Sequence, residues 1–80
     1  MYYVYLIKAS SNGKIYIGHT SDLKKRLVQH NSGYSRATKS YREWSLVYSE
    51  KYSTRCLAMK REKYLKSGDG RKALKLRGIV

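Results

Sequence analysis

Two runs of aromatic and branched residues, Tyr2 to Ala9 and Lys14 to His19, flank Ser10-Ser11-Asn12-Gly13, and this arrangement limits the fold more than any other feature of the chain. Aromatic and β-branched residues favour extended backbone, and Asn-Gly takes the positive φ of a tight hairpin turn. The chain therefore begins with an antiparallel hairpin. Side chains alternate across a strand, so an even-numbered loop puts even positions of the first strand on one face with odd positions of the second. Val4, Leu6, Ile15 and Ile17 then make an apolar core face. The opposite face carries Tyr3, Tyr5 and Ile7 with Lys14, Tyr16 and Gly18, a mixture of phenols, a cation and bare backbone that reads as half-open to a ligand.

Beyond the hairpin, Thr20 or Ser21 caps a helix starting at Asp22, whose carboxylate suits the positive end of the helix dipole, and Asn31-Ser32-Gly33 stops it. Leu23, Arg26, Leu27 and His30 follow the i, i+3, i+4, i+7 stripe that faces a core, while Lys24, Lys25 and Gln29 fall to the solvent side. The basic stretch Tyr34 to Arg42 has no period and reads as a loop. A third strand, Trp44 to Glu50, follows with Trp44, Leu46 and Tyr48 alternating. Ser53 or Thr54 caps a second helix running to about Ser67, where Gly68-Asp69-Gly70 stops it ahead of a short basic helix, Arg71 to Leu76. Ala58, Glu62 and Leu65 stack on the inward stripe of the second helix. With no proline, linker or repeat, residues 1–80 read as one small α/β domain of order β-β-α-β-α-α, a three-stranded, mainly antiparallel sheet flanked by helices.

Eighteen Lys and Arg against five Asp and Glu give a net charge of +13 and a pI near 10.1, which favours a polyanionic partner, nucleic acid first. A membrane is a poor second, because the cations are spread over the chain and the longest apolar run, Tyr2 to Ile7, is far below the roughly 18 residues of a membrane span. The apolar start has neither a basic prelude nor a small-residue cleavage site, so no secretion signal is expected. A single cysteine, Cys56, cannot form an internal disulfide, which suits a reducing, cytoplasmic location, with Cys56 as a small helix-packing residue. A chain of this size buries only about 60% of its unfolded surface, so its core is thin.

Against that background, Arg26, His30 and Glu62 are conspicuous, since ionisable groups on core-facing stripes mark a site. Each also has a plainer explanation. Arg26 could lay its stem on Leu23 and Leu27, His30 could simply answer the helix dipole, and Glu62 could pair with Lys66 at i+4. Tyr5 and Tyr16 could be ordinary strand aromatics, and His19 could end a strand rather than bind phosphate. A glutamate on an inward stripe nevertheless needs a buried partner or a metal, because an unpaired buried carboxylate is costly.

Tyr3-Val4-Tyr5, Tyr16-Ile17-Gly18, Arg26 and His30, and Ala58-Met59-Lys60-Arg61-Glu62 together resemble the GIY-YIG endonuclease superfamily, over Tyr2 to about Leu65. The chain is most similar to small stand-alone bacterial members related to the amino-terminal nuclease domain of the excinuclease subunit UvrC. The resemblance implies a phosphodiesterase whose functional residues map onto Tyr5, Tyr16, Arg26, His30 and Glu62. Glu62 would hold one Mg²⁺ or Mn²⁺, and Arg26 would grip the non-bridging phosphate oxygens. Tyr5 would act as general base, with His30 lowering its pKa or receiving its proton, and Tyr16 would position water or phosphate. Products would carry 5′-phosphate and 3′-hydroxyl ends. Two departures stand out: Tyr3 replaces the leading glycine of the first motif, and no asparagine follows Asn31 where some relatives carry one.

Lys14, His19, Arg36, Lys39, Arg42, Lys60 and Lys63 are the expected phosphate contacts. Larger relatives carry separate DNA-recognition domains, which leaves room here for an accessory protein partner. Two functions compete: a metal-dependent DNA endonuclease, directed by structure or damage rather than by sequence and serving DNA repair, recombination or mobile-element defence, and a non-catalytic nucleic-acid-binding module that retains the fold. The complete five-residue set favours the nuclease, since a binding module has no need of Glu62 among so many cations.

Overall fold

The computed structural model describes residues 1–10, 13–32 and 43–79. Its elements are β1 Tyr2–Ala9, β2 Ile15–Thr20, α1 Leu23–Asn31, β3 Trp44–Tyr52, α2 Arg55–Lys66 and α3 Gly68–Leu76, in the expected order. The strands form one sheet, β2-β1-β3, with both pairings antiparallel. The turn residues Ser11 and Asn12, the stop at Gly33, and the loop with Arg36, Lys39 and Arg42 lie outside the described residues.

The hairpin closes as its sequence requires. Ala9 N–H donates to Lys14 O, Gly13 N–H donates to Ala9 O, and Gly13 holds φ at 71°, a value only glycine adopts freely. The register sets Leu6 against Ile17 and Tyr5 against Gly18, so the predicted division of side chains between faces holds. Val4, Leu6 and Ile17 pack with Ala58 and Leu65 of α2 and Leu74 of α3. Tyr5, Ile7, Ala9 and Trp44 form a second cluster, closed by Leu23 and Leu27 of α1. That second face is not half-open as its composition suggested. Tyr5 and Ile7 are each only 1% exposed, because α1 lies over them. Two thin cores therefore sandwich β1, the one strand paired on both edges.

The third strand departs from simple alternation. Leu6 faces Tyr48 but Ile7 faces Leu46, so Val47 is the extra residue of a bulge that reverses side-chain parity. Trp44 consequently packs under α1, whereas Tyr48 and Tyr52 join the core beneath α2 and α3. Asn31, the last residue of α1, clamps this strand through its amide. It donates to Trp44 O (3.1 Å) and accepts from Trp44 N–H.

Helix boundaries shift where capping chemistry outweighs pattern. Asp22 is the cap of α1 rather than its first residue, its Oδ1 accepting from Lys25 N–H at 3.1 Å. Thr54 caps α2. The glycines at 68 and 70 do not stop a helix; they open α3, with Ser67 as its cap and Asp69 in its first turn. Gly70 is required there. A Cβ at this position would lie 2.0 Å from Tyr64 O and 2.6 Å from Leu65 Cα, so its absence lets α3 cross α2 closely. Cys56 is exposed near the start of α2, not packed in a helix interface.

On the α2 side, Glu50 is the anchor. Arg61 grips it with two donors (Nε to Oε1 2.8 Å, Nη2 to Oε2 3.1 Å), and the hydroxyls of Tyr48 and Tyr52 donate to the same carboxylate. Burial alone would raise this carboxyl, but the donors outweigh it and hold it at about 2. Its unfolded value is near 4.5, so between pH 4.5 and 2 the unfolded chain binds a proton that the folded chain refuses. Stability from this group should be complete above pH 4.5 and decline as pH falls toward 2, by on the order of 3 kcal/mol. Urea titrations across that range check it, and Glu50→Gln should lower the midpoint at neutral pH while flattening the acid slope.

Candidate active site

Tyr5, at the centre of β1, projects under α1 with its hydroxyl between two side chains of that helix. It meets His30 Nε2 at 2.8 Å and receives a hydrogen bond from Arg26 Nε at 3.3 Å. The stripe spacing of α1 explains this, because Arg26 and His30 lie one turn apart on its inward face. Gln29, which helical position alone assigns to solvent, accepts from Arg26 Nη1 at 3.2 Å and steadies the guanidinium. Tyr16 completes the group, its ring centroid 4.9 Å from that of His30 and 6.4 Å from that of Tyr5. Four of the five residues singled out in the sequence are thus in mutual contact.

The glycine of Tyr16-Ile17-Gly18 has a steric reason. A Cβ on Gly18 would stand 2.6 Å from the Tyr5 hydroxyl, 2.9 Å from its Cζ and 3.1 Å from a Tyr16 ring carbon. Bare backbone is what allows the phenol of Tyr5 to lie across the strand opposite it.

Electrostatics sort the roles. Burial pushes the Tyr5 phenol above its usual range, with the Arg26 hydrogen bond opposing only in part. His30 is fully enclosed, and burial, followed by the Arg26 cation, lowers it to about 4, so the imidazole is neutral at physiological pH. Arg26 Nε donates to the phenol oxygen, and the tautomer of His30 decides which partner donates in the Tyr5–His30 bond. Arg26 is raised in turn by its hydrogen bond to Tyr5.

Glu62 belongs to the other face of the sheet. From α2 it reaches the edge strand β2, where His19 Nδ1 donates to Oε1 at 2.6 Å and Lys66 Nζ donates to Oε2 at 2.9 Å. Burial would raise the carboxyl, but the His19 and Lys66 donors hold it below the usual range, so it is ionised. Its charge is still felt at Tyr5, where it adds to the upward shift of the phenol. The two halves of the site therefore flank β2 near Gly18. A cleft of ≈ 580 Å³, lined by Tyr2, His19, Lys25, Arg26 and Arg55 among others, opens beside them, with Arg26 of one half and the Glu62 partner His19 of the other in its wall.

The contact between His19 and Glu62 was open to derivation from sequence but was missed. His19 is opposite Val4 and so on the α2 face, and Glu62 is on the stripe of α2 that meets that face. Lys14 lines a separate cleft beside Lys66. Lys60 and Lys63 are exposed on α2 and line neither cleft.

Comparisons with known proteins fit this geometry. Residues 1–75 match the family model described as the GIY-YIG catalytic domain. The chain is 38% identical over 76 residues to a UPF0213 protein of Staphylococcus saprophyticus, covering 94% of this chain and 92% of the relative. It is 36% identical over 76 residues to a UPF0213 protein of Staphylococcus epidermidis, with the same coverage. Among solved structures, a UPF0213 protein of Bacillus halodurans determined by solution NMR is similar at 28% identity and a TM-score of 0.58, covering 99% of this chain and 85% of that one.

Two outcomes test the geometry. Gly18→Ala should displace the Tyr5 hydroxyl from His30 and cost about 1–3 kcal/mol through overpacking, read from the denaturation midpoint and from the His30 ring resonances in NMR spectra. Because His30 titrates near 4 folded and near 6.5 unfolded, its contribution to stability is complete above pH 6.5 and is lost as pH falls toward 4. Melting temperatures across that range should show the decline, and His30→Gln should remove its upper part.

Proposed function

Because this chain belongs to the GIY-YIG catalytic-domain family, a family of nucleases, we propose that it is a metal-dependent endonuclease hydrolysing phosphodiester bonds in DNA, directed by structure or damage rather than by sequence. The observation that carries the reading is the Tyr5 hydroxyl held between a neutral His30 and the Arg26 cation, with the ionised Glu62 across the edge strand. A merely structural cluster has no use for an arginine on the core-facing stripe of α1 that also lines a cleft.

Among the described residues no three His, Cys, Asp or Glu side chains gather to cage a metal. An ion enclosed entirely by protein therefore does not fit. A hard divalent cation that keeps most of its waters and takes its remaining ligands from phosphate does, since it asks for one ionised carboxylate. Glu62 qualifies, because each of its oxygens retains a lone pair beyond the hydrogen bonds from His19 and Lys66. Bound there, Mg²⁺ or Mn²⁺ would supply charge stabilisation at the phosphate and the leaving 3′ oxygen.

The chain's own groups do the rest. Arg26, anchored by Tyr5 and Gln29, presents its cation in the cleft to non-bridging phosphate oxygens. Tyr5 is raised and so is no standing phenolate. It serves as base by relay, taking a proton from the attacking water as it passes its own to His30 Nε2, which is neutral and 2.8 Å away. Tyr16, tilted against His30, packs that ring in place, and His19 keeps the Glu62 carboxylate turned to the edge of β2.

The test is cleavage of supercoiled plasmid and labelled branched DNA with Mg²⁺ or Mn²⁺, with EDTA and Glu62→Ala alongside. Activity should require both the metal and Glu62, and Tyr5→Phe should lower it by about 10²-fold or more while DNA binding is kept. Binding without any metal-dependent, Glu62-dependent cleavage would overturn the nuclease reading in favour of a binding module.

A further inference from the structure

A second cleft, of ≈ 760 Å³, runs along the outer side of β2 toward α3. Its floor is apolar, made by Ile15, Ile17 and Leu74, and its rim carries five cations, Lys14, Lys66, Arg71, Lys72 and Lys75, with no acid among the lining residues. Arg71, Lys72 and Lys75 are exposed and make no ion pair among the described residues. Three like charges on one nine-residue helix repel one another at i, i+3 and i, i+4 spacing. An ordinary solvated helix face would also alternate acids with bases, as α3 does not beyond Asp69.

The position of the cleft is as informative as its charge. Lys66 belongs both to its rim and to the Glu62 pair, and Tyr16 lines it while its ring packs on His30. The cleft therefore borders the candidate active site at Lys66 and Tyr16, along the edge of β2 that has no partner strand among the described residues.

We infer that this cleft is a track for the DNA strand beyond the scissile phosphate, with Arg71, Lys72 and Lys75 on successive phosphates and the Ile15, Ile17 and Leu74 floor against sugars or bases. Small anions would satisfy the cations but leave the apolar floor wet. A nucleotide strand, polar along one edge and apolar along the other, matches both. The inference rests on the nuclease reading for the direction of the strand, but binding tests it separately.

The experiment uses the full chain carrying Glu62→Ala, so that bound DNA stays intact, and fluorescein-labelled oligonucleotides of four and twenty nucleotides. Four stacked nucleotides span about 14 Å at 3.4 Å each, roughly half of the 27 Å body, and so reach one end of the path only. Lys72→Ala/Lys75→Ala is compared with Lys24→Ala/Lys51→Ala, which removes the same charge from exposed positions elsewhere. The first pair should weaken binding of the long oligonucleotide at least tenfold and reduce the slope of log affinity against log salt by about 1.4–1.8, with the short one little changed. The second pair should shift the long oligonucleotide less than threefold. In the Glu62 background of the native chain, Lys72→Ala/Lys75→Ala should raise KM and leave kcat in place. Equal losses from the two pairs would reduce the cleft to bulk charge and overturn the inference, as would equal losses on long and short DNA. Correct binding contrasts without cleavage by the native chain would sink the nuclease reading and leave the track standing.

Discussion

A phenol on the central strand, at 1% exposure, draws its hydrogen-bond partners from within the protein. Much else follows from satisfying Tyr5. Its hydroxyl draws in His30 and Arg26, which sets the rotation of α1 about its axis, and it lies over Gly18, which forbids a side chain there. The same enclosure that makes the phenol dependent on partners keeps His30 neutral, so one burial event raises the phenol and lowers the imidazole. In a chain this small the core and the site cannot be separate regions. The aromatic cluster of Tyr5, Tyr16, His30 and Trp44 is at once the packing beneath α1 and the candidate chemistry.

What could be read from sequence was whatever depends on local periodicity. The period-2 pattern around a four-residue turn fixed which side chains share a face, and the 3.6 period of α1 put Arg26 with His30. What could not be read depends on contacts between elements. The bulge at Val47 is invisible in Trp44-Ser45-Leu46-Val47-Tyr48, which alternates well enough to pass for a regular strand, yet it sends Trp44 and Tyr48 to opposite cores. Gly68-Asp69-Gly70 reads as a helix stop, because nothing local reveals that α3 must approach the Tyr64 carbonyl too closely for any Cβ. The apparent openness of the Tyr5 face failed for the same reason, since only the placement of α1 closes it.

The distribution of acids ties these points together. The chain has five acidic residues, and two of them, Glu50 and Glu62, are partly buried with cationic partners. Glu50 is surrounded by Arg61, Tyr48 and Tyr52, with Arg77 reaching Tyr48 in turn, and so joins β3, α2 and the end of α3. Glu62 sits on the same helix as Arg61, one residue on, but a rotation of about 100° carries it to the β2 edge rather than to β3. Adjacent residues of α2 thus serve opposite edges of the sheet, one pair fastening β3 and the other holding an ionised carboxylate beside β2.

The remaining positive charge then has a physical consequence for stability. A net +13 on a body of 27 × 27 × 17 Å is self-repulsive, and the two cores that oppose this repulsion are thin. A polyanion bound to the folded state alone relieves the repulsion and stabilises by mass action, in proportion to the logarithm of its concentration over its dissociation constant. Folding and nucleic-acid binding are therefore linked in this chain through charge itself, before any specific contact is counted. A polyanionic partner would supply the negative charge that the fold lacks, and two of its own acids stay partly buried: Glu50, gripped by Arg61 and two tyrosines, and Glu62, held by His19 and Lys66 beside β2.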